Sequence, residues 1–317
     1  MQQYIIRRLL QSIPILIGIS FISFLIVIFA PGDPLASLYP PYILKSIDKD
    51  MVRQQLGLDQ PIPVQYMNMM GKLLTGSLTS FTERRAVLEM LLEKLPATLT
   101  LAGLSLLISL LVAIPIAIFS ATHRESRVDA IIDVTSLFGI SMPSFLIALI
   151  LLLFLSEKWH LLPSSGLRPL GSDTYNLKEM IPYLVMPVAV LSTSMLPGLM
   201  RYARAGMIEV MREDYIRTAR AKGAGERRVV YLHALKNAML PVAAEVGLLI
   251  PWLLGGTAIT ETIFGIPGLG RMAVKAAMTR DYPVVLTINL YVAALTILCG
   301  ILTDIAYSIL DPRIRQG

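Results

Sequence analysis

The sequence predicts an all-α membrane protein that crosses a lipid bilayer six times, with both termini in the cytoplasm. Three observations support this fold class: the composition, the length of the apolar runs and the distribution of basic residues. Hydrophobic residues make up 55% of the 317 residues and charged residues only 16%, whereas a typical soluble domain has about 25% charged residues. This imbalance excludes a water-soluble globular protein of this length.

Six apolar runs are the predicted membrane-spanning helices. A helix rises about 1.5 Å per residue, so about 20 apolar residues cross a hydrocarbon core about 30 Å thick. The backbone groups of a segment in lipid must be satisfied within that segment, which favours a helix. Five runs have no charged residue and one carries only Glu245; the predicted spans are 9–32, 95–122, 134–156, 180–200, 237–260 and 282–303.

The first run has an alternative interpretation as a secretory signal, because Arg7 and Arg8 precede it. Its apolar core is longer than the roughly 7–15 residues of a signal peptide, and no small-residue cleavage site follows it. We therefore interpret this run as an uncleaved membrane anchor.

The distribution of lysine and arginine predicts the orientation. With the N-terminus in the cytoplasm, the inner segments contain 15 lysine and arginine residues, nine of them in 201–236; these inner segments are 1–8, 123–133, 201–236 and 304–317. The outer segments are longer in total but contain only 13. Because cytoplasmic segments of membrane proteins are enriched in basic residues, the counts favour cytoplasmic termini.

The outer segment 33–94 is too long for a simple connection and is predicted to form a small helical cap on the outer face. The motif Pro-Gly-Asp-Pro ends the first helix, and its Asp33 is a favourable N-cap for the next one. Short helices are predicted over 51–58, where a glycine closes the helix, and over 64–74. The alternative is a flexible linker.

Two other connections carry less information. The segment 123–133 is short and polar and is predicted to be an ordinary connection. In the segment 157–179, Trp159 is predicted to lie at the level of the lipid headgroups, where aromatic residues are enriched.

Several function classes lack the residues that they need. Cys299 is the only cysteine, which excludes an internal disulfide and a multi-cysteine metal site. The predicted spans contain no histidine and a single acid, so an intramembrane enzyme is not favoured, and an ion-coupled transporter or channel is a weak alternative. The glycines of 265–271 lack the lysine of a phosphate-binding loop.

The cytoplasmic segment 201–236 is the strongest candidate for a functional site. One face of a short predicted helix, with i, i+3, i+4, i+7 spacing, consists of Tyr215, Thr218, Ala219 and Lys222. Two glycines then interrupt the helix, and a second basic, amphipathic helix follows. The segment is either a docking surface for a soluble protein or a basic patch on anionic lipid. The pattern does not decide between these two interpretations.

Eight motifs follow one another along nearly the whole chain. They are YIIRRLLQSIPILIGISFISFLI, PGDP, VRQQLGLDQPIPVQY, LPATLTLA, ISMPSF, WHLLPSSG, EDYIRTARAKGAGERRV with HALKNAMLPV, and FGIPGLGRMAVKAAMTRDYPVV. In this order they resemble the inner-membrane permease subunits of binding-protein-dependent ABC importers, in particular the first of the two permeases of dipeptide, oligopeptide and nickel systems. The resemblance implies the type I ABC importer permease fold.

The cytoplasmic motif is similar to the coupling motif of this family, which reads Glu-Ala-Ala, three residues, Gly, nine residues and Ile-x-Leu-Pro. Arg217, Thr218 and Ala219 occupy the Glu-Ala-Ala positions and Gly223 the glycine. The acidic position is thus basic, and the Leu-Pro pair comes five residues late. The resemblance implies a coupling helix over 214–223 that contacts an ATPase through Asp214, Tyr215, Arg217, Thr218, Ala219, Lys222 and Gly223.

The resemblance also implies partners and a location. A second, homologous permease would form the pathway with this chain, two cytoplasmic ABC ATPases would bind the coupling helices, and an extracytoplasmic solute-binding protein would deliver the substrate. ATP and Mg²⁺ would be bound by the ATPases, while this chain would hold no cofactor, metal, catalytic residue or nucleic acid. The expected location is the lipid bilayer of a bacterial or archaeal cytoplasmic (inner) membrane.

The resemblance implies a dipeptide or oligopeptide as the expected substrate. Nickel chelates and glutathione are alternatives, because similar permeases occur in transport systems for each of these substrates. No charged ring marks a pathway in the sequence. The expected division of the chain is a tail and first helix over 1–32, an extracytoplasmic helical segment over 33–94, and a core permease domain over 95–317 that contains the coupling loop 201–236.

Glu245 is the single acid within a predicted span. A charge at the bilayer centre costs about 3 kcal/mol. If Pro241 begins the span, Glu245 lies about 6 Å from the cytoplasmic edge, where it reaches the headgroups or pairs with a basic residue. This structural role is our interpretation; the alternative is a gate or pathway residue that faces the bundle interior.

Overall fold

The computed structural model describes residues 2–30, 35, 38, 41–46, 48–123, 126–169, 171 and 176–310. Regular structure in these ranges is helical, apart from one isolated antiparallel bridge between Thr79 and Ala86. The predicted all-α fold class is confirmed. In chain order the described helices are α1 (Gln2–Phe29), α2 (Pro41–Leu44), α3 (Lys49–Leu56), α4 (Ile62–Leu74), α5 (Val87–Thr122), α6 (Arg127–Ser141), α7 (Ser144–Leu151), α8 (Leu177–Val210), α9 (Asp214–Ala221), α10 (Glu226–Ala238), α11 (Leu240–Gly256), α12 (Ala258–Ile263), α13 (Leu269–Thr279) and α14 (Tyr282–Leu310).

Two π-helical turns accompany these helices. One such turn, Leu152–Lys158, continues α7, and another, Val229–Ala234, lies inside α10. A π-helical turn inserts an extra residue into the helical ladder and shifts the faces on either side of it.

Four helices are long and apolar enough to span a membrane, namely α1, α5, α8 and α14. Helices α10 and α11 satisfy the same criterion as a pair that is bent by 47°, so the described residues contain four or five candidate spans. The bend lies at Met239, two residues before Pro241. Proline has no amide hydrogen and interrupts the hydrogen-bond ladder of a helix at this point.

The third predicted span, 134–156, is divided into two helices. Helix α6 ends at Ser141 and α7 begins at Ser144, while Pro143 between them is extended, with ψ 132°. A proline ring disfavours the helical conformation for the residue that precedes it. Because α6 has only 15 residues, it is too short to cross a bilayer by itself. The described helices therefore do not reach the predicted number of six continuous spans.

Helix α8 is longer than the predicted span 180–200. It runs for 34 residues and ends at Val210, so the expectation that a loop begins at residue 201 is wrong. The reason is that Ala203 and Met207, one turn apart, are both fully buried and continue the packed face of the helix.

The chain divides into two compact units. One comprises Met1–Thr98 and Pro267–Ile297, and the other comprises Leu99–Ile266 and Leu298–Gly317. The division into 1–32, 33–94 and 95–317 stays a prediction.

In the first unit, the predicted helices of the segment 33–94 are present as α3 and α4. Asp48 caps α3 by accepting hydrogen bonds from two backbone amides of the first turn, and Gly57 closes it with φ +70°. The predicted cap at Asp33 lies outside the described residues.

Helix α4 packs against α1 through a cluster around Tyr66. The hydroxyl groups of Tyr66 and Ser20 lie 2.7 Å apart. The ring centroids of Phe21 and Phe24 lie 5.3 and 5.4 Å from the centroid of Tyr66. The buried amide of Gln65 donates hydrogen bonds to two carbonyl groups of the preceding turn. The part of this segment that carries α3 and α4 is therefore a folded helical element, as predicted, and not a linker without structure.

A buried carboxylate, Asp281, fixes the turn 79–86 in the same unit. Asp281 has only 2% of its surface exposed to solvent. The carboxylate accepts hydrogen bonds from the Ser80 hydroxyl (2.5 Å) and from the amides of Phe81 (3.1 Å) and Thr82 (3.0 Å). These bonds join the start of α14 to the turn that precedes α5, across about 200 residues of sequence.

Replacing Asp281 with alanine should lower the stability of this unit by about 3 kcal/mol or more, because three donors lose a charged acceptor. Hydrogen exchange and thermal unfolding of the purified permease would measure the loss, with amides 81 and 82 losing protection first. The matched control is Lys275→Met, which removes an exposed ion pair with Glu83 at 2.8 Å and should change stability by less than about 1 kcal/mol. Equal effects of the two substitutions would contradict this role of Asp281.

Candidate functional site

The polar segment that the sequence identifies as the candidate site forms a short helix, α9. Asp214 lies in its first turn and Arg220 in its last, an arrangement that complements the helix dipole. Gly223 follows with φ +84°, a left-handed conformation that glycine adopts without strain. The predicted helix and its stop at this glycine are confirmed.

Helix α9 is anchored through one fully buried residue, Ile216. This side chain lies in an apolar cluster whose other buried members come from α5, α8 and α10; they are Ile118, Met207, Val229, Val230, Ala234 and Ala238. Burial of an isoleucine side chain stabilises by about 1.5–3 kcal/mol. Ile216 is not among the predicted site residues, although it is an isolated large apolar side chain in the polar run EDYIRTAR, which is the signal that identifies such an anchor.

The predicted site residues lie on the accessible side of α9. Ala219 is half-buried, and the others are exposed, namely Asp214, Tyr215, Arg217, Thr218, Lys222 and Gly223. The hydroxyl of Tyr215 accepts a hydrogen bond from the side-chain amide of Asn237, at 2.9 Å. Arg217 pairs with Asp214 at 3.2 Å. The structure thus brings these residues together as one polar surface on a helix that is held from behind by Ile216.

A second contact connects α9 to α10 across the two glycines. The guanidinium of Arg220 donates two hydrogen bonds to the carboxylate of Glu226, at 2.8 and 3.3 Å. A bidentate pair of this kind fixes direction as well as distance. It therefore orients α9 against the helix that leads into α11.

Helices α8 and α10 approach each other closely behind α9. A Cβ atom at Gly206 in α8 would overlap the carbonyl oxygen of Ala238 in α10. A glycine is needed at position 206 because the backbone of α10 occupies the space that a side chain would take.

The connection 123–133 is not the ordinary loop that its length and polarity predict. Helix α6 already begins at Arg127, and Asp129 in its first turn is 4% exposed. The Asp129 carboxylate accepts a hydrogen bond from the Ser120 hydroxyl of α5 and forms an ion pair with Arg204 of α8, at 2.7 Å. This ion pair joins the buried Asp129 to the partly exposed Arg204. It was not predictable from the segment alone, because the basic partner is 75 residues away in the sequence.

Glu245 is half-buried in α11. Its carboxylate lies beside Gly198 of α8, so that a Cβ atom at position 198 would lie 3.2 Å from Glu245 Oε1. Within the described residues, the Glu245 side chain forms no hydrogen bond or ion pair with another residue. The glycine makes room for the carboxylate next to α8, and the role of Glu245 stays a prediction.

The described residues contain no group of three or more His, Cys, Asp or Glu side chains placed to hold a metal ion. What the exposed face of α9 offers is a polar, rigidly mounted contact surface.

Several long apolar helices, with a short polar helix packed near the ends of three helices, are typical of a multi-pass membrane protein. The chain belongs to the family of binding-protein-dependent transport system inner membrane components. The model of this family matches residues 113–316, and the model of its N-terminal region matches residues 1–102. The protein is therefore a membrane component of a transport system and is not itself the catalytic subunit.

Three peptide transport permease proteins are similar to this chain over almost their full length. The oligopeptide transport system permease protein AppB of Bacillus subtilis is 40% identical over 317 residues, which cover 99% of this chain and 100% of AppB. The dipeptide transport system permease protein DppB of Escherichia coli is 37% identical, with 100% of this chain and 99% of DppB covered. The di/tripeptide transport system permease protein DppB of Pseudomonas aeruginosa is 36% identical, with 100% of this chain and 99% of that protein covered.

The fold is similar to a chain of the MetNI methionine ABC transporter, solved in inward-facing conformations. The TM-score is 0.54 with 14% sequence identity, and the match covers 71% of this chain and 97% of the other. At this level of identity the likeness concerns the fold alone. It confirms the predicted fold of an ABC importer permease.

Substituting Gly206 with alanine should destabilise the packing of α8 on α10 by about 1–3 kcal/mol, because the added methyl group forces the backbones apart. The thermal unfolding midpoint of the purified permease would fall. Gly103 is the matched control, since it also lies in a helix but a Cβ atom added there would have no neighbouring atom within 4 Å. Gly103→Ala should leave the midpoint unchanged or raise it, and a similar fall for both variants would argue against the close contact.

Proposed function

We propose that the protein is a permease subunit of an ATP-binding-cassette importer and forms, with a second homologous permease, the membrane pathway for dipeptides or oligopeptides. The observation that carries this proposal is the similarity to permease proteins of oligopeptide and dipeptide transport systems. The similarity spans both the membrane helices and the cytoplasmic segment. It therefore includes the parts that a pathway and its coupling need.

The energy for transport comes, in this proposal, from two cytoplasmic ABC ATPases that hold ATP and Mg²⁺. An extracytoplasmic binding protein delivers the peptide to the outer face. Family membership supports these partner classes in general, because the family is named for its dependence on a binding protein. Closure of the ATPases would move the permease between inward-facing and outward-facing conformations.

Helix α9 is the proposed contact with one ATPase. Its polar side is exposed while Ile216 anchors its apolar side. Two elements that resist rotation, the Ile216 cluster and the Arg220–Glu226 pair at 2.8 Å, suit a surface that must transmit force. A basic patch that rests on lipid would not need to be held in this way, so the geometry favours protein docking.

Both termini are proposed to be cytoplasmic, in the inner membrane of a bacterium or archaeon. The nine basic residues of 201–236 support this orientation. The same orientation places α9 on the side of the membrane where ATP is available.

The substrate class rests on the relatives, whose names mention oligopeptides, dipeptides and tripeptides. Nickel chelates and glutathione are the alternatives within the same machinery. Substrate choice in such systems rests largely with the binding protein, so the chemistry of this chain alone does not separate them.

The experiment that tests the proposal is reconstitution of the permease pair with its ATPases in proteoliposomes. Uptake of a labelled dipeptide or tripeptide should require ATP and the binding protein. Uptake of nickel or glutathione in preference to peptide would assign one of these as the substrate instead. Uptake driven by an ion gradient without ATP would reject the assignment to an ATP-driven importer.

Replacing Gly223 with leucine should leave the complex assembled but uncouple peptide uptake from ATP hydrolysis. Any side chain at φ +84° is strained, so the end of α9 must shift away from the ATPase. The ratio of peptide transported to ATP hydrolysed in proteoliposomes measures this effect.

Gly225→Leu is the control for this variant. A Cβ atom at Gly225, like one at Gly223, would have no neighbouring atom within 4 Å. The φ of −63° at Gly225, however, suits any side chain. The control should transport nearly normally. If Gly223→Leu also transports normally, the coupling surface lies elsewhere.

Glu245→Gln should retain most of the peptide uptake, because glutamine keeps the size and hydrogen bonding of the side chain beside Gly198 and loses only the charge. Initial uptake rates of the reconstituted variant are the measurement. A complex that assembles normally but has lost uptake would assign Glu245 to the translocation pathway instead.

A further inference from the structure

Three helices of the second unit meet at one carboxylate. Asp129 lies in the first turn of α6, the Ser120 hydroxyl comes from the last turn of α5, and Arg204 comes from the cytoplasmic extension of α8. The start of α6 is itself fixed, because the Ser126 hydroxyl accepts a hydrogen bond from the Asp129 amide at 3.1 Å. The carboxylate is thus a common point of attachment for α5, α6 and α8.

Along α5 and α8, this attachment point lies within about one helical turn of the cluster that seats α9. Ser120 is two residues from Ile118, and Arg204 is three residues, about one helical turn, from Met207. Ile118 and Met207 are both buried in the cluster around Ile216. The same two helices, α5 and α8, therefore hold α9 on one side and Asp129 on the other.

The choice of charged residues at this position needs a reason. Burying the Asp129 carboxylate is costly even though the Arg204 side chain stays 27% exposed, and apolar residues of similar volume often stabilise a protein at least as well as an ion pair of this kind does. A guanidinium and a carboxylate, however, hold one another at a defined distance and direction, whereas apolar side chains pack without a preferred direction. The pair suits a role in positioning better than a role in stability alone.

We propose that Asp129 is a positioning residue for energy coupling. Its bonds to Ser120 and Arg204 lock α5, α6 and α8 together at the seat of α9, so that a displacement of α9 moves the membrane helices as one body. Without the lock, α9 still binds its ATPase and ATP is still hydrolysed, but the displacement is absorbed at the seat. This inference rests on the proposed role of α9 in coupling.

The decisive variant is the double substitution Asp129→Leu with Arg204→Met, which removes both charges and leaves neither unpaired. We expect the reconstituted complex to assemble with an unchanged or higher thermal midpoint. We expect the peptide transported per ATP hydrolysed to fall about tenfold, a size typical of coupling between sites. A role in stability alone would not produce this combination, because the coupling ratio would then follow the thermal midpoint.

The exposed pair Arg85 and Glu89, at 3.1 Å, provides the matched control. Replacing it by the same two residues, with Arg85→Met and Glu89→Leu, should leave the coupling ratio at the wild-type level. A wild-type ratio in the Asp129 and Arg204 double variant would overturn the proposal, as would a ratio that falls equally in the control.

Arg204→Lys decides the question if the double variant does not assemble. Lysine keeps the charge but loses the planar geometry of the guanidinium. A lowered ratio with normal ATP hydrolysis would support the lock, and a wild-type ratio would reject it. Failure of the proposed function would be seen separately, as the absence of ATP-dependent peptide uptake in the wild-type complex.

Discussion

The fold depends on one constraint: in lipid, each backbone amide and carbonyl must find its partner within the protein. This requirement produces the long uninterrupted helices and makes proline decisive. At Pro143 the chain stops one helix and starts another, and near Pro241 it bends by 47°. Helix α8 nevertheless contains Pro182, Pro187 and Pro197. It is the most buried of the long candidate spans, and membrane helices tolerate proline where neighbouring elements can satisfy the freed backbone groups.

The buried acids of the described chain follow a second physical rule. Asp129 and Glu261 lie in the first turns of α6 and α12, and Asp281 directly precedes α14. The positive end of the helix dipole favours a carboxylate at each of these places. Each carboxylate also accepts a hydroxyl hydrogen bond, which for Glu261 comes from Thr257 at 3.0 Å. Buried carboxylates are thus used where helices start, and those of Asp129 and Asp281 also connect segments that are distant in sequence.

Much of the fold was predictable because its determinants are local. Apolar runs of sufficient length indicated the four or five candidate spans, and glycine positions indicated the ends of α3 and α9. The residues that seat α9 were not predictable to the same extent. Ile216 becomes an anchor only when α5, α8 and α10 surround it, and the partner of Asp129 comes from a different helix. One sequence contains no signal for such pairs, since spacing reports only on neighbours within a helix.

Helix α8 connects the proposed coupling site at α9 with residues further along a candidate membrane span. Its Gly206 and Met207 contact the elements around α9, its Arg204 binds Asp129, and its Gly198 lies beside Glu245. Gly198 and Arg204 are six residues apart, about 9 Å along one continuous helix. An α-helix of this kind changes length very little, so a shift at its C-terminal end must also move Gly198. In the proposed mechanism, the ion pair between Arg204 and Asp129 makes this end of α8 move together with α9.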